Sequence, residues 1–231
     1  MGRNEGDVAH GGAETKPRDY YEESYHFDED LEHPNLERLW RAMRPLQPLR
    51  GTAFLDLGCG VGWATKLALE RGAAGTGVGL DFSARALSAA KRQTPTAGWV
   101  HADGTRLPFA DATFDRIFSF GSVEHFPDIL RGLHEVHRAL RADGRAVIVV
   151  PNFWVRTDQP LEFRATRGGW TRLITDAGFR VVSVGTDAGP SIFKNRRPLR
   201  IALRLLVRLL SFIPPLRYQF IFVLRKAEGE R

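Results

Sequence analysis

The chain is poor in the features that crosslink, target or repeat. It holds one cysteine, Cys59, in 231 residues, so no intramolecular disulfide can form and a reducing compartment is the expected home. Its opening stretch, MGRNEGDVAHGGAETKP, lacks the apolar core of a signal peptide, and Gly6 stands where a myristoylation signal needs Ser or Thr. Residues 1–17 therefore read as a flexible tail. No internal repeat occurs. What remains is ordinary: 43% hydrophobic and 26% charged residues suit a globule whose length fits one α/β domain with appendages.

The surplus of positive charge, +6 overall, is not spread along the chain. Residues 190–231 carry ten Lys/Arg against Glu228 and Glu230, a net +8, and the rest sums to −2. A local basic patch favours an anionic membrane, a phosphorylated substrate or nucleic acid, or is a solvated helix face.

Along the chain, Leu36, Leu39, Trp40 and Met43 recur at helical spacing ahead of the first strand. Alternation follows: strand 53–57, helix 62–71, strand 76–81, helix 83–93, strands 98–102 and 115–120, helix 127–142, strand 145–151. Such βαβ order implies a parallel sheet covered by helices. GGWTRLITDAGF then reads as a helix stopped by Gly178, RVVSVGT as a strand, 198–213 as a helix ended by Pro214 and Pro215, and YQFIFVLRK as a last strand.

The stretch FLDLGCGVGWAT, residues 54–65, sets Gly58, Gly60 and Gly62 at the first strand-to-helix turn. There, backbone N–H groups and a helix N-terminus approach a ligand, and bare glycines remove obstruction. A dinucleotide fingerprint would need Gly or Ala at 63, which is Trp63. With Asp56 two positions ahead, the stretch resembles the first motif of class I S-adenosylmethionine-dependent methyltransferases: acid, x, Gly, x, Gly, x, Gly. Asp81 closes the second strand nineteen residues past Gly62, where a carboxylate can accept from both ribose hydroxyls. A short-chain dehydrogenase would show a Tyr four positions before a Lys, and no Tyr here does.

The resemblance covers about 50–152 and is closest to the small-molecule branch with the ubiquinone and menaquinone biosynthesis methyltransferases. It implies an α/β, Rossmann-like, doubly wound fold with a mostly parallel seven-stranded sheet and an antiparallel last strand. It implies S-adenosyl-L-methionine as cofactor, held by Asp56, Gly58, Gly60, Gly62 and Asp81, with Phe82 beside the adenine. Asp103 and Gly104 match the position that meets the adenine amino group, and Leu107 and Pro108 lie where the family lines the base pocket. Ser119, Phe120 and Gly121 offer backbone groups to the methionine part. Taken singly, Asp56 and Asp81 also suit helix-start acids, Asp103 a turn cap and Phe82 the core.

On this reading 18–231 is a single methyltransferase domain: a helical lid (18–48), a cofactor-binding core (49–152) and substrate-side elements (153–231). His125, just past the fourth parallel strand, is the candidate general base, with a structural EH pair as its alternative; Glu124 supports the loop. Tyr21 and Tyr25, within an aromatic group that includes Tyr20, His26 and Phe27, are lid residues facing substrate or an aromatic face packed on the domain. Asn152, Phe153 and Trp154 follow the fifth strand as substrate wall. His134 and His137 lack a third ligand, so no metal is expected.

The stretch RRPLRIALRLLVRLLSFIPP, 196–215, lies within a basic amphipathic insertion at 190–215. Its stripe of Arg200, Arg204 and Arg208 opposes a wide leucine arc. It is too short and charged to span a bilayer but can lie in its interface; a substrate-covering or dimer-forming helix is the other reading. Phe212 is the one aromatic in this arc, so nucleic acid is not the expected partner. The expected activity is methyl transfer to O or N, with C also open, of a small anionic or apolar acceptor. Alternatives are a membrane-surface methyltransferase of a quinone or lipid precursor, and a binder of the cofactor that does not methylate. The expected location is cytoplasmic, with membrane association on the second reading.

Overall fold

Short apolar runs bounded by glycine turns alternate with amphipathic segments, and in the computed structural model they form one twisted sheet. The structure describes residues 35–153, 162–187 and 218–227, and the backbone of 8–10. In chain order these are β1 (Val8–His10), α1 (Leu36–Met43), a 3-10 turn (Arg44–Leu46), β2 (Ala53–Leu57), α2 (Trp63–Glu70), β3 (Thr76–Asp81), α3 (Ala84–Gln93) and β4 (Gly98–His101). There follow β5 (Phe114–Phe120), a 3-10 turn (Val123–His125), α4 (Ile129–Ala139), β6 (Leu140–Pro151), β7 (Phe163–Ala165), α5 (Arg167–Asp176), β8 (Phe179–Asp187) and β9 (Gln219–Lys226).

Seven strands lie in the order β4-β3-β2-β5-β6-β9-β8. Pairs from β4 to β6 are parallel, while β9 runs antiparallel to both β6 and β8. The chain steps outward from β2 to β4 and then returns to β5, so the switch point, and the ligand crevice expected of such sheets, lies beyond the carboxyl ends of β2 and β5.

Strand alternation sorts the core onto two faces. Leu55, Leu57, Ile117, Ile148 and Val150 pack with Leu133 and Val136 of α4 and Trp170 and Ile174 of α5. Phe54, Phe118, Val147, Val149 and Val223 pack with Met43 and Leu46 and with Ala64 and Ala68 of α2. Side chains at the helix starts satisfy backbone N–H groups left over there: Ser83 accepts from Ala86 N, Asp128 from Arg131 N and Thr166 from Gly169 N.

Two differences from the sequence reading are physical. The helix expected over 127–142 stops at Ala139, because Leu140 takes extended angles, is fully buried and pairs with Phe114 before a bulge. Apolar periodicity continued across a residue that the sheet claims. Within the expected tail, Val8–His10 pairs antiparallel with Phe163–Ala165 as a separate two-stranded sheet, a long-range contact that no local pattern announces. The helix expected at 198–213 lies outside the described residues.

Candidate functional site

The turn after β2 is built from left-handed glycines: Gly58, Gly60 and Gly62 have φ of 69°, 51° and 85°, angles that cost other residues about 1 kcal/mol or more. Gly58 N and Cys59 N both donate to Leu80 O at 2.8 and 3.0 Å, which binds the turn to the end of β3. A Cβ on Gly58 would stand 2.3 Å from Ser122 Oγ, and one on Gly62 2.3 Å from the Trp99 ring. At these two positions the missing side chain thus makes room for protein. Ser122 Oγ donates to Gly58 O at 3.0 Å, so the ends of β2 and β5 are joined across the switch point. Sequence reading missed both Ser122 and Trp99, since Trp99 comes from β4 and Ser122 from the turn after β5.

Asp56 is buried beneath this turn. Its Oδ2 accepts from Thr65 N and Thr65 Oγ1, both at 3.0 Å, and so caps α2, whose start has only glycine. Burial pushes the Asp56 carboxyl up to about 7 against the pull of the Thr65 bonds. Asp81 stands at the end of β3 and holds the turn from the other side: Oδ2 accepts from Gly60 N at 2.8 Å and Oδ1 from Ser83 N at 2.9 Å. Burial raises the Asp81 carboxyl, opposed by these N–H groups, that of Phe82, and His101. Phe82 is half-buried, and its carbonyl lies 2.6 Å from His101 Nε2.

Asp103 and Gly104 follow β4. Asp103 Oδ1 accepts from Thr105 N and Oγ1, both at 2.8 Å; Gly104 is buried, with a Cβ position 2.3 Å from the Phe126 ring. A clamp from α4 holds the next residues, a role absent from the sequence reading. Glu135 Oε2 accepts from Leu107 N at 2.8 Å, and Arg138 donates to Leu107 O and Phe109 O at 3.0 and 2.7 Å. Glu135 and Arg138 also bond each other at 2.8 Å.

At the end of β5, Ser119 is buried and its Oγ has no hydrogen-bond partner among the described residues. Phe120 is half-buried, with the Arg38 guanidinium 5.0 Å from its ring centroid. Gly121 has φ of 68° and carries the chain into the 3-10 turn, where His125 is half-buried. Glu124 beside it is 2% exposed. Burial, with a smaller push from Glu162, raises its carboxyl to about 8, and Oε2 has no partner among the described residues.

Asn152 is buried just past β6, its N–H donating to Tyr218 O at 3.2 Å. Tyr21, Tyr25 and Trp154 lie outside the described residues. Other groups gather at this end of the sheet. Arg38 of α1 bonds Asp187 Oδ2 through Nε at 2.6 Å and Gln219 Oε1 at 2.8 Å, and its guanidinium lies 5.8 Å from the Tyr218 ring centroid. Burial raises the Tyr218 phenol, with nearby Arg38 opposing and the carboxylates Glu162, Asp187 and Glu124 adding to the rise.

These residues suit an adenosyl group. Asp81, with N–H groups of Gly60, Ser83 and Phe82 on three of its four lone-pair sites, keeps one acceptor site for a ribose hydroxyl; both bonds to Asp103 fall on Oδ1, and the buried Ser119 hydroxyl lacks a partner among the described residues at the strand end. Among the described residues, no group of three or more His, Cys, Asp and Glu could hold a metal ion, and no helix is long and apolar enough to cross a membrane.

Comparison with known proteins agrees with this geometry. Residues 55–148 match a family model described as a methyltransferase domain. A 2-phytyl-1,4-naphtoquinone methyltransferase of Nostoc punctiforme is 36% identical over 121 residues, 48% of this chain and 53% of that protein. A demethylmenaquinone methyltransferase of Staphylococcus aureus is 34% identical over 116 residues, 48% of each chain. The chain thus spans about half the length of the curated relatives it matches. The crystal structure of an S-adenosylmethionine-dependent methyltransferase from Mesorhizobium loti shares the fold, with a TM-score of 0.67 and 21% identity over 83% of this chain and all of that one.

Proposed function

We propose that this chain, whose residues 55–148 match a methyltransferase domain, is a class I methyltransferase that transfers a methyl group from S-adenosylmethionine to O or N, or to C, of a small-molecule acceptor. The observation that carries the proposal is the glycine turn held between Asp81 and Ser122 at the switch point of the sheet. When bound, the cofactor supplies a methyl group on a sulfonium, already activated for displacement. In this reading Asp81 accepts from a ribose hydroxyl and Phe82 flanks the base. Asp103 meets the adenine amino group beside Gly104. Gly60 and its neighbours Gly58 and Gly62 present backbone to the ligand, and Ser119 and Phe120 face its amino-acid end. Asp56 acts through Thr65 as a support for the turn.

The protein's main task is alignment, which can recover roughly 7 to 11 kcal/mol of barrier. His125 is the proposed base for an acceptor that must lose a proton, while Tyr21, Tyr25, Asn152 and Trp154 form the acceptor wall. Calorimetry with S-adenosylhomocysteine tests the binding half: the wild type binds and Asp81→Ala binds about tenfold or more weakly, since a charge-assisted bond to the ligand and the anchor of Gly60 N are lost. A wild type that takes up NAD instead would end the reading. Product release from trial acceptors tests the transfer half; His125→Ala loses turnover between pH ~6 and ~9, a span that brackets the imidazole, when the acceptor is protonated.

A second, narrower reading is a quinone or lipid precursor methylated at a membrane surface. Its supports are the names of the two curated relatives and the Arg200, Arg204 and Arg208 stripe opposite leucines at 196–215. Co-sedimentation with anionic vesicles, lost when the three arginines become alanine, is its expected outcome; equal sedimentation of both proteins favours a substrate-covering or dimer-forming segment in a cytoplasmic enzyme.

A further inference from the structure

Four arginines stand side by side across the sheet, at the end remote from the crevice. Arg116 of β5 is in register with Arg145 of β6. One residue beyond the Ala146–Leu224 pair, Arg145 faces Arg225 of β9, and Arg225 is in register with Arg180 of β8. Directly opposed residues point to one face, here the face of Phe118, Val147 and Val223. With strands ~4.8 Å apart, the row spans ~14 Å.

Like charges directly opposed in a sheet repel and destabilise it. Arg116 and Arg145 are partly accounted for: Arg116 Nε donates to Leu46 O at 2.9 Å and Arg145 to Pro45 O, which pins the 3-10 turn after α1. Carbonyls do not neutralise the charge, however, and Arg145 Nε is buried without a partner among the described residues. After burial, the nearby Arg225 and Arg116 are what lower the Arg145 guanidinium from its ordinary range. None of the four forms an ion pair among the described residues. The neighbouring Asp115 is spent on Ala53 N and Arg141.

We propose that this row is an anion site, separate from the methyl-transfer crevice, that takes a phosphate-bearing ligand across Arg225 and Arg180 and offsets the charge of Arg145. Guanidinium forks match phosphate oxygens in pairs, and the row is long enough for more than one phosphate. The internal competitor is the chain's own end, where Glu228 and Glu230 follow β9 in sequence.

The test is calorimetric titration of the full chain with inorganic pyrophosphate at fixed ionic strength, against Arg180→Gln/Arg225→Gln and Glu228→Gln/Glu230→Gln. The wild type binds, the arginine variant binds about tenfold or more weakly, and that variant melts no lower than wild type in phosphate-free chloride. No binding by wild type, equal binding by the arginine variant, or binding seen only once the two glutamates are replaced would overturn the proposal. Vesicles of phosphatidylglycerol in phosphatidylcholine separate the sources. Retention lost in the arginine variant, with Arg200, Arg204 and Arg208 intact, identifies lipid headgroups, and pyrophosphate binding without such retention identifies a soluble phosphate.

Discussion

Single residues at the glycine turn are fixed by both backbone angle and packing, and their part in the proposed cofactor site can be measured. Gly58 combines a φ of 69° with a Cβ position 2.3 Å from Ser122 Oγ, so Gly58→Ala should cost about 1–3 kcal/mol and weaken S-adenosylhomocysteine binding. Adding Ser122→Gly relieves the collision but not the backbone angle, so denaturant melts should show partial recovery; full recovery would mean that the angle costs nothing. Glu124 gives a pH signature. Its folded carboxyl is raised from 4.5 to about 8, so above the ordinary value the folded state binds the extra proton, and stability falls as pH rises through that window. The slope should be about 1.4 kcal/mol per pH unit near pH ~6, and urea midpoints of Glu124→Gln should show a slope flatter by that amount. At this scale the places of Asp56, Asp81 and Asp103 around the glycine turn were legible because each sits at or just past a strand end that the pattern itself marks. Thr65, Ser122 and Trp99 were not, because their meaning comes from a partner on another element.

Elements position what residues recognise. Helix α4 buries Leu133 and Val136 in the core while Glu135 and Arg138 grip Leu107 and Phe109 from their flank. Arg138→Ala should loosen this stretch, lowering stability by about 1–3 kcal/mol and, on the proposal that Leu107 lies beside the adenine, weakening S-adenosylhomocysteine binding with Asp81 and its bonds to Gly60 and Ser83 left in place. Chemical shifts at Leu107 and Phe109 that move without any change in affinity would show that the clamp serves the fold alone. Strand and helix identities were readable because apolar period and turn glycines agree along 53–120. The end of α4 was not, since Leu140 satisfies the helical period and is still taken by the sheet. Similarly, Arg38 looks like one charge on an amphipathic helix; only the fold brings it to Asp187 and Gln219.

For the whole molecule, the alternation of strands and helices carried the class of fold and the place of the crevice, because βαβ units cross over with one hand. The acceptor was not legible, since the proposed wall, Tyr21, Tyr25, Asn152 and Trp154, is drawn from segments far apart in sequence and without a recognisable pattern. Strand β9 lies between β6 and β8 and is the strand through which β8 joins the sheet, yet it follows both of them in chain order. A polypeptide emerging from the ribosome must therefore hold Phe179–Asp187 without the strand that pairs it to the sheet until residues 219–226 arrive. Premature termination there should release two strands rather than one, exposing a fresh edge to aggregation.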